Sequence, residues 1–191
     1  MRHEGENLDR RRWVVRGADR PTAIELVRAY HYTGGGSNTA AAVHGLYRRG
    51  DPLRCYGVAW WLRAIVGLAR SVAREGEDWR GVASLSRLVI DPSVPRNGAS
   101  FLLSQSMRLL PVGFTSLVTF ADQRLGHSGA IYRATGWSDD GLTRGRRAWL
   151  DPETGRQVSE ERFGRVPAER LRAQGLVQSE IHRKRRFIYR R

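Results

Sequence analysis

At 191 residues the chain has the length of one ordinary domain, and 40% hydrophobic residues suffice for a buried core. The single cysteine, Cys55, excludes an internal disulfide and a cysteine-based zinc cluster, and no run of 18 apolar residues offers a membrane span. A net charge of +14, carried by arginine with Lys184 as the only lysine, points to a polyanionic partner, because the guanidinium fork bonds phosphate and guanine edges bidentately. A coding bias toward arginine explains the choice of arginine over lysine equally well, but not the net charge.

The leader MRHEGENLDRRRW is polar and has no apolar signal core, so a cytoplasmic protein without a membrane partner is expected. WVVR at 13–16 reads as a first strand. Asp19 and Pro21 then resemble an N-cap and an early-helix proline, opening a helix with Ile24, Val27 and Tyr30 on one face and Gly34 to Gly36 at its end. AVHGLYRR and LRCYGVAWWL form a hairpin around Gly50-Asp51-Pro52, and alternation sends Trp60 and Trp61 to opposite faces. Residues 66–81 read as a loop or short helix.

GVASLSRLVI is a buried strand, DPSVPRNGAS a turn, FLLSQSMRLLPV a helix, and SLVTF another buried strand leading into DQRLGHSGAIYRATGW. A second hairpin is expected around GRRAWLDPETGRQVS, followed by a helix at PAERLRAQG. The alternation of elements predicts a single α/β domain on a mixed central sheet flanked by helices, with a catalytic domain over 1–158 and a basic C-terminal extension over 159–191 that packs on it or continues it.

The turn before the second helix is the first chemical candidate. Gly98 and the small residues beside it let backbone N–H groups at a helix start approach an anion, with Arg96 adding charge. The competing reading is an ordinary loop in which Asn97 and Ser100 cap the helix. Basic clusters suit nucleic acid: Arg48 and Arg49 in the first hairpin turn, Arg144, Arg146 and Arg147 near the second, and Arg183, Lys184, Arg185 and Arg186 in the tail, where Phe187 and Tyr189 offer stacking faces. His31, His44, His127 and His182 are scattered without ligand spacing, so no metal site is expected.

The order of buried strand, phosphate-type turn, helix, strand and AIYRATGW resembles the GNAT acyltransferase superfamily. There the fourth strand splays from the fifth, a pantetheine arm lies in the gap, and the pyrophosphate rests on the turn. By that resemblance acyl-CoA, typically acetyl-CoA, would lie along Leu88, Val89 and Ile90 and on Arg96, Asn97, Gly98, Ala99 and Ser100, and Tyr132 would protonate the departing thiolate. The turn departs from the superfamily pattern at its leading polar position, which is Pro95 here.

A narrower resemblance runs from Trp13 to Tyr189. HYTG at 31–34, LSRL at 85–88, PRNGAS, FADQRLGHSGAIYRATGW and KRRFIY are similar to the Mom family of phage DNA-modification proteins. It implies transfer of a carbamoylmethyl-type group to the exocyclic amine of adenine in double-stranded DNA, shielding phage DNA from host restriction. His31, Tyr32, Arg87, Ser100, Asp122 and Tyr132 occupy the matching functional positions. Each has an ordinary alternative: His31 and Tyr32 as helix-end packing, Arg87 as a structural ion pair, Ser100 as a cap, Asp122 as a turn former, Tyr132 as core packing.

Chemistry supports the types independently. Adenine's amine is a weak nucleophile, so a carboxylate such as Asp122 can accept its proton as the new bond forms, and Tyr132 can supply one to the leaving group. Arg87, if buried, needs an anionic partner such as Asp122 or the substrate. A duplex hides the amine, so the base must flip, and Tyr32, Trp60 and Trp61 are candidate pocket walls. Because a carbamoylmethyl group is attached through a methylene carbon, simple acyl transfer does not make the product; a glycyl-type donor or iron are the alternatives for that step. The competing functions are a conventional GNAT N-acetyltransferase acting on a small-molecule or protein amine, and a DNA-binding protein without catalysis.

Overall fold

A computed structural model of the chain describes residues 6–31, 39–145, 147–155, 157–158 and 167–191. Strand β1 (Trp13–Gly17) leads to helix α1 (Arg20–Tyr30). Asp19 caps the helix by accepting the Thr22 N–H at 2.9 Å, and Pro21 lies in the first turn, where its missing N–H leaves no bond unmade. The buried face is Ala23, Leu26 and Val27, so the expected stripe is rotated and Tyr30 is exposed. The hairpin follows as β2 (Ala42–Arg48) and β3 (Asp51–Arg63), and then a short helix, α2 (Val66–Val72).

Strand β4 (Val82–Ile90) is followed by the turn, helix α3 (Gly98–Leu109), strand β5 (Ser116–Asp122) and a five-residue helix, α4 (Ala130–Ala134). Two further strands, β6 (Ser138–Leu142) and the terminal β10 (Lys184–Arg190), complete a seven-stranded sheet in the order β1-β2-β3-β4-β5-β10-β6. Among the described strands of this sheet, only the β4–β5 pair is parallel. The arginine-rich tail therefore lies inside the sheet: Phe187 is fully buried, and Arg185 and Arg186 pair with Asp139 and Asp140 of β6.

Between β6 and β10, the predicted hairpin appears as β7 (Trp149–Leu150) against β8 (Gln157–Val158), with the Asp151 carboxylate accepting the Glu153 and Thr154 amides in its turn. Strand β9 (Val177–Gln178), after helix α5 (Ala168–Ala173), pairs with the other side of β7 to make a separate three-stranded sheet.

Helices α3 and α4 cover one face of the main sheet, over a core that includes Leu46, Trp61, Leu102, Leu103, Leu117 and Phe187. Helices α1 and α2 cover the other, over Val27, Val58, Trp60 and Val89 in one cluster and Val72, Val82, Val118 and Ile188 in a second. Burying each large side chain contributes about 1.5–3 kcal/mol. Trp60 and Trp61 do face opposite ways, but both are fully buried, so neither lines an accessible pocket. Trp61 instead donates to the Ser106 hydroxyl (2.7 Å), which also bonds His44 Nδ1 (2.7 Å). No helix among the described residues is long and apolar enough to cross a membrane.

Candidate active site at the β4–β5 gap

Pairing between β4 and β5 covers only Val82↔Ser116, Ala83↔Leu117 and Ser84↔Val118, whereas β4 remains paired with β3 as far as Ile90. Beyond Ser84 the two strands part. Leu88, Val89 and Ile90 therefore belong to the stretch of β4 that faces a gap rather than a neighbouring strand. Thr119 spans the first open rung, its hydroxyl donating to the Leu85 carbonyl at 3.3 Å.

A β-bulge sets the direction of Arg87. The β3–β4 register runs from Trp60↔Arg87 to Trp61↔Leu85, leaving Ser86 as the extra residue. By simple alternation Arg87 would share the α3 face with Leu85. The bulge turns it, with Val89, to the α1 face. There its guanidinium donates to the carbonyl (2.8 Å) and hydroxyl (2.9 Å) of Ser86.

Asp122 ends β5 on that same face, in alternation with Val118 and Phe120. Its side chain is 1% exposed, and its oxygens pair with Arg124 (3.2 Å) and with Lys184 (3.5 Å), its cross-strand partner on β10. Burial alone would raise this carboxyl, but the Arg124 hydrogen bonds and the Lys184 charge outweigh it and hold the group below its ordinary value. His31, at the C-terminal end of α1, is pushed down to about 4 by burial and by the nearby charges of Arg87, His127 and Lys184. It is neutral at physiological pH. His182 is lowered by burial and also lies by Arg124, Asp122 and Lys184; its Nδ1 is buried without a hydrogen-bond partner.

Tyr132 approaches from the opposite face. Helix α4 starts at Gly129 (φ 76°), where an added Cβ would collide with the Phe187 ring, so only glycine permits this approach. Tyr132 then packs 5.2 Å from Phe187 and 5.8 Å from Trp137. Burial raises its phenol, opposed in part by a hydrogen bond with Thr119. The proton therefore stays on Tyr132 at neutral pH, as a proton donor requires.

At the end of β4, the turn into α3 is bonded to the leader: Arg96 N–H donates to the Glu6 carbonyl (3.0 Å), Leu8 N–H to the Arg96 carbonyl (2.9 Å), and Asn97 Nδ2 to Asn7 Oδ1 (3.0 Å). Asn97 sits in the left-handed region (φ 66°) and makes no side-chain cap, and the Ser100 hydroxyl donates back to the Asn97 carbonyl at 3.0 Å. Among the described residues, the amides of Asn97, Ala99 and Ser100 have no backbone partner. They stand at the positive end of a twelve-residue helix, a natural anion cradle. Gly98 packs so closely on Val94 that a Cβ would not fit.

Among the expected site residues, the structure brings His31, Arg87 and Asp122 together on the α1 face, with Tyr132 across the gap. Tyr32 and Arg146 lie outside the described residues. Ser100 stands at the anion cradle rather than in the cluster around Asp122. Arg124, His127 and Thr119 join the site unannounced, although all lie within five residues of Asp122 in a run whose strand alternation could have assigned their faces. Lys184 bonds Asp122, and Arg185 and Arg186 bond Asp139 and Asp140, while Arg144, Arg147 and Arg183 are exposed. No group of three or more His, Cys, Asp or Glu among the described residues is arranged to hold a metal ion.

The model of the Mom protein family matches residues 12–190. No curated protein matches the chain. Similar solved structures include the ribosomal-protein-S18-alanine N-acetyltransferase from Escherichia coli, with a TM-score of 0.55 at 12% identity over 93% of each chain. An acetyltransferase of the GNAT family from Streptococcus pneumoniae gives a TM-score of 0.55 at 12% identity, over 94% of this chain and 99% of the other. An acetyltransferase from Salmonella typhimurium, solved with its cofactor acetyl-CoA, gives 0.52 at 11% identity over 93% of each chain. At these identities the likeness establishes the fold, which is that of the GNAT enzymes.

Proposed function

The chain belongs to the Mom protein family, and on that premise we propose that it is a DNA-modifying transferase which adds a carbamoylmethyl-type group to the exocyclic amine of adenine in phage DNA and so protects it from host restriction. The observation that carries this reading is the arrangement of Asp122 and Tyr132 about the β4–β5 gap, a buried carboxylate on one face and a protonated phenol on the other.

The two faces divide the chemistry. The donor lies on the α3 side, its phosphates on the amides of Asn97, Ala99 and Ser100 and its arm along the open edge of β4 from Leu88 to Ile90. Acyl-CoA is the donor that this cradle supports best; attack on its carbonyl breaks the C–S bond and leaves an amide, so the carbamoylmethyl product requires a glycyl-type donor that presents a methylene carbon at the same place. Pro95 supplies no polar side chain at the head of the turn, so the backbone amides and Arg96 carry the anion. The acceptor adenine enters on the α1 side after flipping from the duplex. As its nitrogen bonds to the donor carbon, that nitrogen loses a proton and the leaving group gains one. Asp122, anionic, and His31, neutral, are the proton acceptors available on that face; Tyr132 returns the proton to the leaving group.

Arg87, Arg124 and Lys184 outnumber Asp122 beside the gap, which suits a phosphate-bearing acceptor better than a free cationic amine. Arg144, Arg147 and Arg183 extend that charge outward for the flanking DNA backbone. The fold shared with acetyltransferases supports a second reading, conventional N-acetylation of a small-molecule or protein amine. Mass spectrometry of nucleosides from DNA of expressing cells separates the two: a heavier deoxyadenosine is expected, and unmodified DNA with acetylated amines would promote the second.

A further inference from the structure

We propose that a pocket at the turn of the β2–β3 hairpin, with a volume of about 370 Å³ and Arg11, Arg12, Arg48 and Arg49 in its lining, is a binding site for a phosphate group. It stands apart from the β4–β5 gap, and the proposal holds whichever reaction occurs there.

Two segments distant in sequence build it. A single turn of 3-10 helix over Arg10–Arg12 is capped by Asp9, whose carboxylate accepts the Arg11 N–H at 3.0 Å. The Arg49 N–H donates to the Arg12 carbonyl at 2.9 Å and ties the hairpin turn to that leader. Two pairs of arginines are thus held on fixed backbone around one cavity. Tyr56 forms part of the wall, its ring edge-on to Trp13 at 5.1 Å.

The nearby carboxylates are already engaged. Asp51, which also lines the pocket, accepts the Tyr56 hydroxyl at 2.9 Å; Asp91 accepts from Arg54 at 3.2 Å and from Ser93; Asp9 caps its turn. Among the described residues, no ion pair includes any of the four arginines. Four guanidiniums against one carboxylate repel each other unless an anion joins them. Their planar forks match the oxygens of a phosphate, which accepts several charge-assisted bonds at once.

Main-chain bonds also tie the walls of the pocket to the turn that carries the anion cradle. The Tyr56 carbonyl accepts the Asp91 N–H (2.8 Å) at the head of the turn into α3, and the leader that carries Arg11 and Arg12 is bonded to Arg96 in that turn. Two sources share the required chemistry: the phosphomonoester of a nucleotide cofactor and the phosphodiester of a DNA strand.

The test titrates the full chain with inorganic phosphate against chloride at matched ionic strength, reading the arginine Nε–H signals by NMR. Saturable shifts at Arg11, Arg12, Arg48 and Arg49 are expected, separate from any at Arg96 in the cradle and with Arg28 and Arg108 unmoved, and the double variant R12Q/R49Q weakens the phosphate affinity read at Arg11 and Arg48 by at least about tenfold. The replaced side chains are exposed, and circular dichroism checks that the variant folds. A loss of CoA affinity that is absent with dephospho-CoA assigns the phosphomonoester; a shallower salt dependence of DNA binding assigns the phosphodiester. Shifts that never saturate and spread over all arginines, or a double variant that binds phosphate, CoA and DNA unchanged, overturn the proposal.

Discussion

Asp122 and Tyr132, ten residues apart in the chain, reach the gap between β4 and β5 from opposite faces of the sheet. Asp122 does so as the last residue of β5, paired with Lys184 at 3.5 Å, and Tyr132 through Thr119 on the same strand. A group passing through the gap would meet a base on one side and an acid on the other.

The Thr119 hydrogen bond opposes the effect of burial on the Tyr132 phenol. Thr119→Val removes that partner while the core volume is nearly kept. An ultraviolet pH titration should show one tyrosine transition displaced, and Thr119→Ser should return it. An unchanged titration in the valine variant would place Tyr132 away from Thr119.

Asp122→Asn keeps the shape of the side chain and removes its charge. Arg124 and Lys184 are 39% and 32% exposed, so water can reach them and the stability lost is about 1–3 kcal/mol, below that of a fully buried pair. Urea unfolding measures this, and Lys184→Gln in the same background should restore part of it, because the two residues are in contact. Loss of a proton acceptor costs about 100-fold or more in turnover, a separate readout that the second substitution does not restore.

His31 makes stability depend on pH with a defined sign. Its folded value is about 4 against 6.5 for a free imidazole, so the unfolded chain binds the extra proton. The contribution is complete above pH 6.5 and is lost as pH falls toward 4; the full difference corresponds to about 3 kcal/mol, which solvent around the half-buried ring reduces to on the order of 1–2 kcal/mol. His44 and His182, also lowered by burial, act in the same direction, whereas Asp122 is lowered from 3.8 and acts only below that. Denaturant unfolding at pH 7.5, 6 and 5 should show the decline, and His31→Gln should flatten it in part.

Gly129 holds α4 against Phe187 in a left-handed conformation. Gly129→Ala adds a clash with a fully buried ring to the conformational cost, together about 2–4 kcal/mol. A lowered Tm with a weakened near-ultraviolet circular dichroism signal from the Tyr132–Phe187–Trp137 cluster is expected; a neutral effect would mean that α4 stands off the sheet.

Most of the central sheet was legible in the sequence because its elements carry local signals: Asp19 and Pro21 for α1, Gly50-Asp51-Pro52 for the hairpin, Gly136 after α4. Strand β10 was hidden by its charge. In KRRFIYR the arginines mask the alternation, and partners such as Asp139 and Asp140 that neutralise them lie 46 residues earlier. The bulge at Ser86 was equally unreadable, since it arises from two β4 residues facing one rung of β3, and it alone decides which side of the sheet Arg87 serves. The arginine pocket joins Arg12 to Arg49 through a main-chain bond, which side-chain types do not encode.

The proposed roles of Asp122 and Tyr132 are tested most directly by comparing DNA from cells expressing the native chain, Tyr132→Phe and Asp122→Asn, digested to nucleosides and weighed by mass spectrometry. A carbamoylmethyl-type deoxyadenosine is expected with the native chain, and its loss in both variants at equal expression. Unmodified deoxyadenosine with the native chain, or full modification with either variant, would contradict those roles.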